Sequence, residues 1–192
     1  MLVSMCLAAE AVLHYIPIGA GGLTWVIDFT HATFDQTTVP GLEEFVSCAS
    51  SFCAVLFVDL DRYKQMNDSL GPATEEAVLR HAARRLESVV RESDSVSRFG
   101  GDEFVVLLTE VGEPSDAARL AAKMLDALSA PSRIGEHMLH LSASIGIAIF
   151  PRDAVDTAGL ISRADANMYR AKRNGGGSFA ESQGAIGHAA RK

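Results

Sequence analysis

The stretch from Arg98 to Phe104, RFGGDEF, constrains the fold of this chain more than any other. Two adjacent glycines stand between the apolar runs SVSRF and EFVVLL, and Asp102 and Glu103 follow them at once. Glycine readily adopts the positive φ angles of two-residue hairpin turns, so both Gly100 and Gly101 are expected to supply such angles here. The stretch predicts a β-hairpin with two carboxylates at its tip. Acids on a rigid turn suit a metal ion, but an ordinary solvated surface hairpin has the same local pattern.

Composition limits the class of protein. With 192 residues and 48% hydrophobic content, the chain can form one packed domain plus an extra segment, and overall disorder is excluded. The net charge of −7 and the pI near 5.3 argue against binding along a nucleic-acid polymer, which requires a basic surface. Any phosphate ligand should therefore be small and held locally. Three cysteines, Cys6, Cys48 and Cys53, lack metal-ligand spacing and indicate a reducing cytoplasm.

The N-terminal segment is apolar, and its first 27 residues contain a single formally charged side chain, Glu10. Pro17, the nearby glycines and the absence of Lys and Arg favour a short amphipathic helix over residues 1–16; a membrane anchor is the alternative. Residues 28–41 are rich in Thr, Asp, Pro and Gly, which predicts a loop, and a short helix from Leu42 to Ala49 is expected after it.

The remaining pattern predicts alternating strands and helices. CAVLFVD is an almost unbroken apolar run that ends at Asp59, as is typical of a central strand covered on both faces. A helical turn or two follows, up to Gly71. The later elements are then expected to be a helix from Pro72 to about Arg91, the hairpin, a helix from Pro114 to Pro131, a strand from Met138 to Phe150, and a helix from Asp156 to Asn174.

The expected strand from Met138 to Phe150 has two different faces. Large apolar residues alternate with small ones, which should let a helix lie close to the small face. After the last helix, the glycine-rich and polar segment from Gly176 predicts a loose tail. Residues 1–41 are accordingly interpreted as an N-terminal helix and linker, 42–179 as the principal domain, and 180–192 as a flexible tail.

The element order predicts an α+β fold, a ferredoxin-like or palm-type βαββαβ mixed sheet covered by helices, with the active-site hairpin beside the first strand. Asp59 should then approach Asp102 and Glu103. Carboxylates without histidine or cysteine favour Mg²⁺ or Mn²⁺ over zinc. Lys64, one turn beyond Asp59, is placed to reach a triphosphate. This constellation is typical of phosphoryl or nucleotidyl transfer.

Four separated blocks carry a family resemblance: FVDLDRYKQMNDSLG, RESDSVSRFGGDEFVVLL, LSASIGIAIFP and RADANMYRAKRNG. Together they span about Phe52 to Gly177, and at this spacing and order they are highly specific. The chain resembles the GGDEF domain of diguanylate cyclases. Those domains are similar to polymerase palms and join two GTP molecules into cyclic di-GMP.

The resemblance implies a metal site and a catalytic group. Asp59, the carbonyl of Leu60 and Asp102 would bind Mg²⁺ or Mn²⁺, and Glu103 would support a second ion. Asp102 would also help to deprotonate the attacking 3′ hydroxyl. Each monomer of this family holds one GTP, so catalysis is expected to need a homodimer.

The resemblance also implies nucleotide contacts. Gly100 and Gly101 would leave room for the triphosphate, Lys64 and Lys172 would bind its charge, and Asn67 would hydrogen-bond the guanine edge. A solvated lysine at a helix end is the alternative for Lys172.

Arg91 and Asp94 form an RxxD pair where the family binds cyclic di-GMP for product inhibition. Arginine suits this task because it grips phosphate with two N–H groups and stacks on purines. A plain ion pair at a helix end is the alternative for these two residues.

The sequence departs from the family pattern around the guanine pocket. Pro72 and Glu75 differ from the residues usual in the family. Glu76 stands where the family has an aspartate that reads guanine; it keeps the acceptor for guanine, but its carboxylate is displaced by one methylene. Gly176 stands where an arginine is expected. Three hypotheses follow: an active diguanylate cyclase, a weak GGDEF domain that binds GTP or cyclic di-GMP as a regulatory module, or a nucleotidyl cyclase with altered base choice.

Overall fold

The computed structural model describes residues 12–14, 26–28, 52–70, 72–182 and 186–188. The strands are β1 (Val12–His14), β2 (Val26–Asp28), β3 (Phe52–Leu60), β4 (Ser95–Gly100), β5 (Glu103–Val111), β6 (Ser132–Ile134), β7 (His137–Leu139), β8 (Ala143–Phe150), β9 (Ser178–Glu181) and β10 (Ile186–His188). The helices are α1 (Tyr63–Leu70), α2 (Pro72–Glu87), α3 (Pro114–Ser129) and α4 (Thr157–Arg173). No helix within these ranges is long and apolar enough to cross a lipid bilayer.

The predicted α+β fold is confirmed. The strands form one mixed sheet in the order β1-β2-β4-β5-β3-β8-β9-β10, with β6 and β7 as a separate small hairpin. β3 is antiparallel to both β5 and β8, as expected for a first strand that lies beside the hairpin. Every residue of β3 after Phe52 is buried, in agreement with its continuous apolar run.

The two faces of the sheet carry separate apolar cores. α2 and α3 pack against one face, where Ile145, Ile147 and Ile149 of β8 are fully buried. α4 packs against the opposite face and buries Leu160, Ile161, Ala164 and Met168, which are the residues that the sequence pattern selected. The predicted alternation of large and small residues along β8 therefore places each class of side chain against a different helix layer.

Gly146 lies where the backbone of α4 packs directly against the sheet. A Cβ atom added there would lie 1.9 Å from the carbonyl oxygen of Ala164 and 2.2 Å from the backbone nitrogen of Met168. One turn of α4 also binds the strand directly, since Asn167 Nδ2 donates to the carbonyl of Ile147 at 2.8 Å. The prediction that small residues let a helix lie close is confirmed at this glycine.

Some element boundaries differ from those predicted. The strand expected from Met138 to Phe150 is divided, because His137–Leu139 pairs with β6 and only Ala143–Phe150 joins the large sheet. α2 ends at Glu87 rather than near Arg91, although Val89 and Val90 still pack on the core. The division of the strand arises from tertiary pairing that overrides a continuous local pattern.

The loose tail expected from Gly176 is wrong for Ser178–Glu181. These residues form β9, which lies parallel to β8 and buries Phe179 and Ala180. Ile186–His188 pairs with β9 in turn. The free edge of β8 offers backbone hydrogen bonds to Ser178–Glu181, and this pairing makes the short segment a strand. The domain boundaries at residues 41 and 179 stay predictions.

Most of the N-terminal predictions lie outside the described residues. Within the helix expected over residues 1–16, only Val12–His14 is described, and it forms a strand paired with Val26–Asp28. The predicted loop over 28–41, apart from Asp28, and the helix from Leu42 to Ala49 fall outside the description.

Candidate active site

The RFGGDEF stretch forms the predicted hairpin between β4 and β5. Gly101 has a φ of +53° and makes the turn with Asp102, and Arg98 Nε closes it by donating to the Gly101 carbonyl at 2.9 Å. The prediction that Gly100 also has a positive φ is wrong, because the ladder shifts by one residue before it and pairs it with Glu103. Added Cβ atoms at the two glycines would meet no described atom within 4 Å, so a ligand has room beside the turn.

Asp59 and Glu103 lie side by side on the face of the sheet that carries α4. They are direct partners in the antiparallel register of β3 and β5, so their side chains point to the same side. Asp59 is only 6% exposed. The next residue, Leu60, donates its backbone N–H to the carbonyl of Asp102 at 3.3 Å, which ties the end of β3 to the hairpin turn.

Lys172 from α4 reaches Asp59. Its Nζ lies 2.8 Å from Oδ1 and 2.9 Å from Oδ2 of Asp59, a bond to each oxygen of a buried carboxylate. Burial raises the pKa of Asp59; the Lys172 ammonium opposes this rise, and the charges of Asp102 and Asp61 add to it. Burial by itself lowers the pKa of Lys172, but its bonds to Asp59 reverse this and raise it above the ordinary value. Lys172 is therefore a charged ammonium paired with the predicted metal ligand.

Glu103 is half-buried in a strongly acidic environment. Burial raises the pKa of its carboxyl, and the charges of Asp59, Asp102 and Asp165 raise it further. A cation bound beside the carboxylates would oppose this rise in the pKa, because opposite charge favours the ionised form. The electrostatics at this edge of the sheet therefore favour a cation.

The donor set fits a hard divalent cation that also binds a substrate. Within the described ranges, no three Asp, Glu, His or Cys side chains are spaced to hold one ion by themselves. The site instead offers carboxylate oxygens on two adjacent strands and one turn. Mg²⁺ is usually held by one or two carboxylates together with water and substrate phosphates, which matches this arrangement.

Lys64 and Asn67 lie on α1, close to the end of β3. They are three residues apart, so they share one face of the helix. Lys64 is exposed, whereas Asn67 Oδ1 is shielded from solvent and has no hydrogen-bond partner in the part of the chain that the structure describes. A shielded polar atom without a partner is costly, and a ligand that donates a hydrogen bond here would remove this cost.

The wall expected to contact guanine is only partly described. Glu76 is exposed and accepts a hydrogen bond from Arg80 Nη2 at 3.4 Å, an i,i+4 pair on α2. Pro72 begins α2, but its side chain and the preceding Gly71 lie outside the description. Tyr63 is buried nearby, and its hydroxyl donates to the carbonyl of Glu75 at 3.5 Å.

The RxxD pair forms a tight turn between α2 and β4. Asp94 accepts from the backbone N–H of Arg91 at 3.1 Å and from that of Thr109 at 3.3 Å, and its own N–H donates to the Arg91 carbonyl at 3.0 Å. These contacts of Asp94 involve backbone groups, whereas the plain ion pair would require the Arg91 guanidinium. Arg91 is exposed at this turn.

Asp61 is a site residue that sequence reasoning missed. Its carboxylate accepts from Ser142 Oγ at 2.5 Å, from Ser144 Oγ at 2.6 Å and from the Gly177 N–H at 2.8 Å. The two serines lie on the small face of the strand pattern, where they were interpreted only as room for a helix. Their polarity on an otherwise apolar strand was the signal that a hydrogen-bonding partner faces them.

The fold and the site define a class of protein, and comparison with known families identifies the same class. The family model described as "Diguanylate cyclase, GGDEF domain" matches residues 31–178, which is more than half of the chain. The chain belongs to the GGDEF domain family.

Particular relatives are similar over the same region. The bifunctional diguanylate cyclase/cyclic di-GMP phosphodiesterase MucR of Pseudomonas aeruginosa is 46% identical over 122 residues, which cover 64% of this chain and 18% of MucR. Diguanylate cyclase TpbB of the same species is 44% identical over 126 residues, or 65% of this chain and 29% of TpbB. This chain thus spans less than a third of the length of these curated relatives.

Solved structures agree with this assignment. The GGDEF domain of TpbB from Pseudomonas aeruginosa has a TM-score of 0.72 and 39% identity, and the match covers 75% of this chain and 92% of that domain. A microbial GGDEF domain whose interaction with cyclic di-GMP was solved has a TM-score of 0.62 and 26% identity, covering 73% of this chain and 88% of that one. The family thus takes part in cyclic di-GMP signalling.

Proposed function

We propose that this chain is a diguanylate cyclase domain that condenses two GTP molecules into cyclic di-GMP and two pyrophosphates. The observation that carries the proposal is the placement of Asp59 and Glu103 side by side beneath the Asp102 turn, with the Lys172 ammonium on both oxygens of Asp59. Carboxylates and an ammonium group thus lie close together beside the glycine turn, an arrangement that suits a bound triphosphate and its metal ion.

In this mechanism each protomer of a homodimer holds one GTP. The 3′ oxygen of each GTP forms a bond to the α-phosphorus of the other, and the bond from that phosphorus to its pyrophosphate breaks. Asp102 takes part in removing the 3′ hydroxyl proton. Lys64 and Lys172 hold the triphosphate charge, and Asn67 accepts from the guanine edge. Mg²⁺ or Mn²⁺, held by Asp59, the Leu60 carbonyl, Asp102 and Glu103, would lower the charge on the phosphates and stabilise the departing pyrophosphate.

The direct test is incubation of concentrated protein with GTP and Mg²⁺, followed by separation of the nucleotides. Cyclic di-GMP as product supports the proposal, and ATP in a parallel reaction tests altered base choice. Measurable GTP binding without product would overturn cyclase activity and support a GTP-binding or cyclic di-GMP-binding regulatory module. The Glu76–Arg80 pair favours this second candidate, because it engages the carboxylate expected to contact guanine.

Lys172→Met is expected to change metal and nucleotide binding in opposite directions. Without nucleotide, Mn²⁺ should bind several-fold more tightly, because no ammonium then competes for Asp59. With metal present, the affinity for GTP should fall by about tenfold through loss of one charge-assisted contact. Electron paramagnetic resonance of free Mn²⁺ and nucleotide binding measure the two effects, with the exposed neighbour Arg173→Met as control. Weaker Mn²⁺ binding by Lys172→Met would show that the Lys172 ammonium does not compete with the metal ion for Asp59.

Arg91→Ala is expected to relieve product inhibition. The cyclic di-GMP concentration that halves the rate should rise by at least about tenfold, since an arginine–phosphate contact is lost, while the initial rate is unchanged. The fold should be unaffected because Asp94 binds the Arg91 backbone, which alanine retains. Progress curves with added product measure the effect, and exposed Arg133→Ala is the control. If cyclic di-GMP inhibits this variant as strongly as wild type, the RxxD pair forms a structural turn and does not bind the product.

A further inference from the structure

We propose that Asp61 is a positioning residue of the nucleotide site. Its carboxylate fastens the segment between β3 and α1 to the glycine turn that follows α4, and in this chain Gly176 leaves room for this carboxylate. The inference rests on the proposed function, since the fastened segments carry the predicted phosphate and metal ligands. Asp61 is assigned a positioning role rather than a ligand-binding one, because both of its oxygens already accept hydrogen bonds from the protein.

The contacts of Asp61 join three parts of the chain. Oδ1 accepts from Ser144 Oγ, while Oδ2 accepts from Ser142 Oγ and from the Gly177 N–H. The backbone N–H of Asp61 also donates to the Ser142 carbonyl at 2.8 Å. Ser144 is fully buried and is the register partner of Asp59 in β3 and of Ser178 in β9. Asp61 therefore closes the sheet at the end where the predicted ligands lie.

The segment that Asp61 fastens has a strained backbone. Arg62 has a φ of +56°, in the left-handed region that non-glycine residues rarely adopt. Such a conformation persists when surrounding contacts determine it, and the paired bonds of Asp61 to β8 provide such contacts immediately before it. The chain then enters α1, which carries Lys64 and Asn67. Releasing Asp61 would let this residue relax and move the start of α1.

The glycine turn on the other side is shaped around the same carboxylate. Gly175, Gly176 and Gly177 all have positive φ angles, and they lead the chain from Lys172 on α4 into β9. A Cβ atom on Gly176 would lie 2.6 Å from Oδ2 and 2.7 Å from Cγ of Asp61, whereas one on Gly175 would meet no described atom within 4 Å. A side chain at position 176 therefore requires the carboxylate to shift from the position in which it accepts its three hydrogen bonds.

The test compares wild-type protein with Asp61→Ala, Gly176→Ala and the double variant. The measured quantities are the affinity for a non-hydrolysable GTP analogue with Mg²⁺, and hydrogen exchange at the Gly177 amide. Each single variant should lower the affinity by about tenfold and speed exchange at Gly177. The double variant should be no weaker than either single one, because both remove the same interaction; additive losses of about a hundredfold would overturn the proposal.

Two further variants separate positioning from general stability. Asp61→Asn should restore affinity to within about threefold of wild type, since its amide oxygen still accepts from Gly177 while its N–H groups donate to a serine oxygen. Gly175→Ala is the matched control; it strains a backbone at φ +109° without touching Asp61, so it should reduce stability but not affinity.

The outcomes distinguish this inference from the proposed function. If wild-type protein fails to bind the GTP analogue, the proposed function fails, and the positioning role fails with it. If wild type binds and the folded Asp61→Ala and Gly176→Ala variants bind equally well, Asp61 has only a structural role and the inference alone is overturned. If Asp61→Ala does not fold, Gly176→Ala gives the same decision.

Discussion

Asp102→Ala is expected to lower cyclic di-GMP formation by about 10³-fold, to near the detection limit. Asp102 combines two predicted tasks, binding the metal ion and helping to remove the 3′ hydroxyl proton, and loss of one such electrostatic contact alone costs roughly 10²- to 10³-fold in rate. The hairpin should survive, because Gly101 makes the turn and Arg98 holds the Gly101 carbonyl. The backbone bond from Leu60 to residue 102 is also retained.

The measurement is the initial rate of GTP condensation at saturating Mg²⁺, together with thermal unfolding and Mn²⁺ affinity. Glu136→Ala is a matched control, because Glu136 is an exposed acid in the turn between β6 and β7. Its rate should equal that of wild type. A folded Asp102→Ala variant that retains turnover would show that the metal assignment is wrong.

Gly146→Ala is expected to destabilise the fold by about 3 to 5 kcal/mol, enough to unfold many single domains. The added Cβ would lie 1.9 Å from a backbone carbonyl of α4, and neither a strand nor a helix backbone can move aside as a flexible side chain would. α4 has to shift outward, which opens the core that contains Leu160 and Ala164. The bond from Asn167 to the Ile147 carbonyl should be lost with it.

Urea unfolding at equilibrium measures this effect. Gly112→Ala is the matched control, since among the described atoms its added methyl group would meet only the carboxylate end of Asp116, at 3.2 Å, and its φ is not positive. The free energy of unfolding of this control should change by less than about 1 kcal/mol. Equal stability of the two variants would show that α4 does not pack on Gly146 as described.

Predictions from sequence succeeded where a property repeats locally along the chain. The apolar run before Asp59 predicted the buried strand β3, and the alternation in β8 predicted which residues face which helix layer. The glycine pair predicted the hairpin, because few other residues allow its turn. Predictions failed where pairing with a distant edge decided the outcome, as for Ser178–Glu181.

The contacts of individual side chains also divide into those that a local pattern predicts and those that depend on distant segments. Asp59 and Glu103 could be placed together from the strand order, since antiparallel neighbours share a face. The metal and nucleotide roles of the site residues stay predictions until they are measured. The partner of Lys172 could not be foreseen, because a lysine in a last helical turn has the same local pattern in solvent as in an ion pair.

The sequence by itself determined the order of strands and helices, the hairpin, and the membership in a family whose motifs it carries. Only the tertiary structure decided that Lys172 binds Asp59 and that Asp61 holds Gly177, contacts that join residues 113 and 116 positions apart. The physical reason is the range of the forces involved. Backbone propensity and hydrophobic periodicity act over a few residues, whereas these hydrogen bonds exist only after the sheet has set its register and α4 has docked against Gly146.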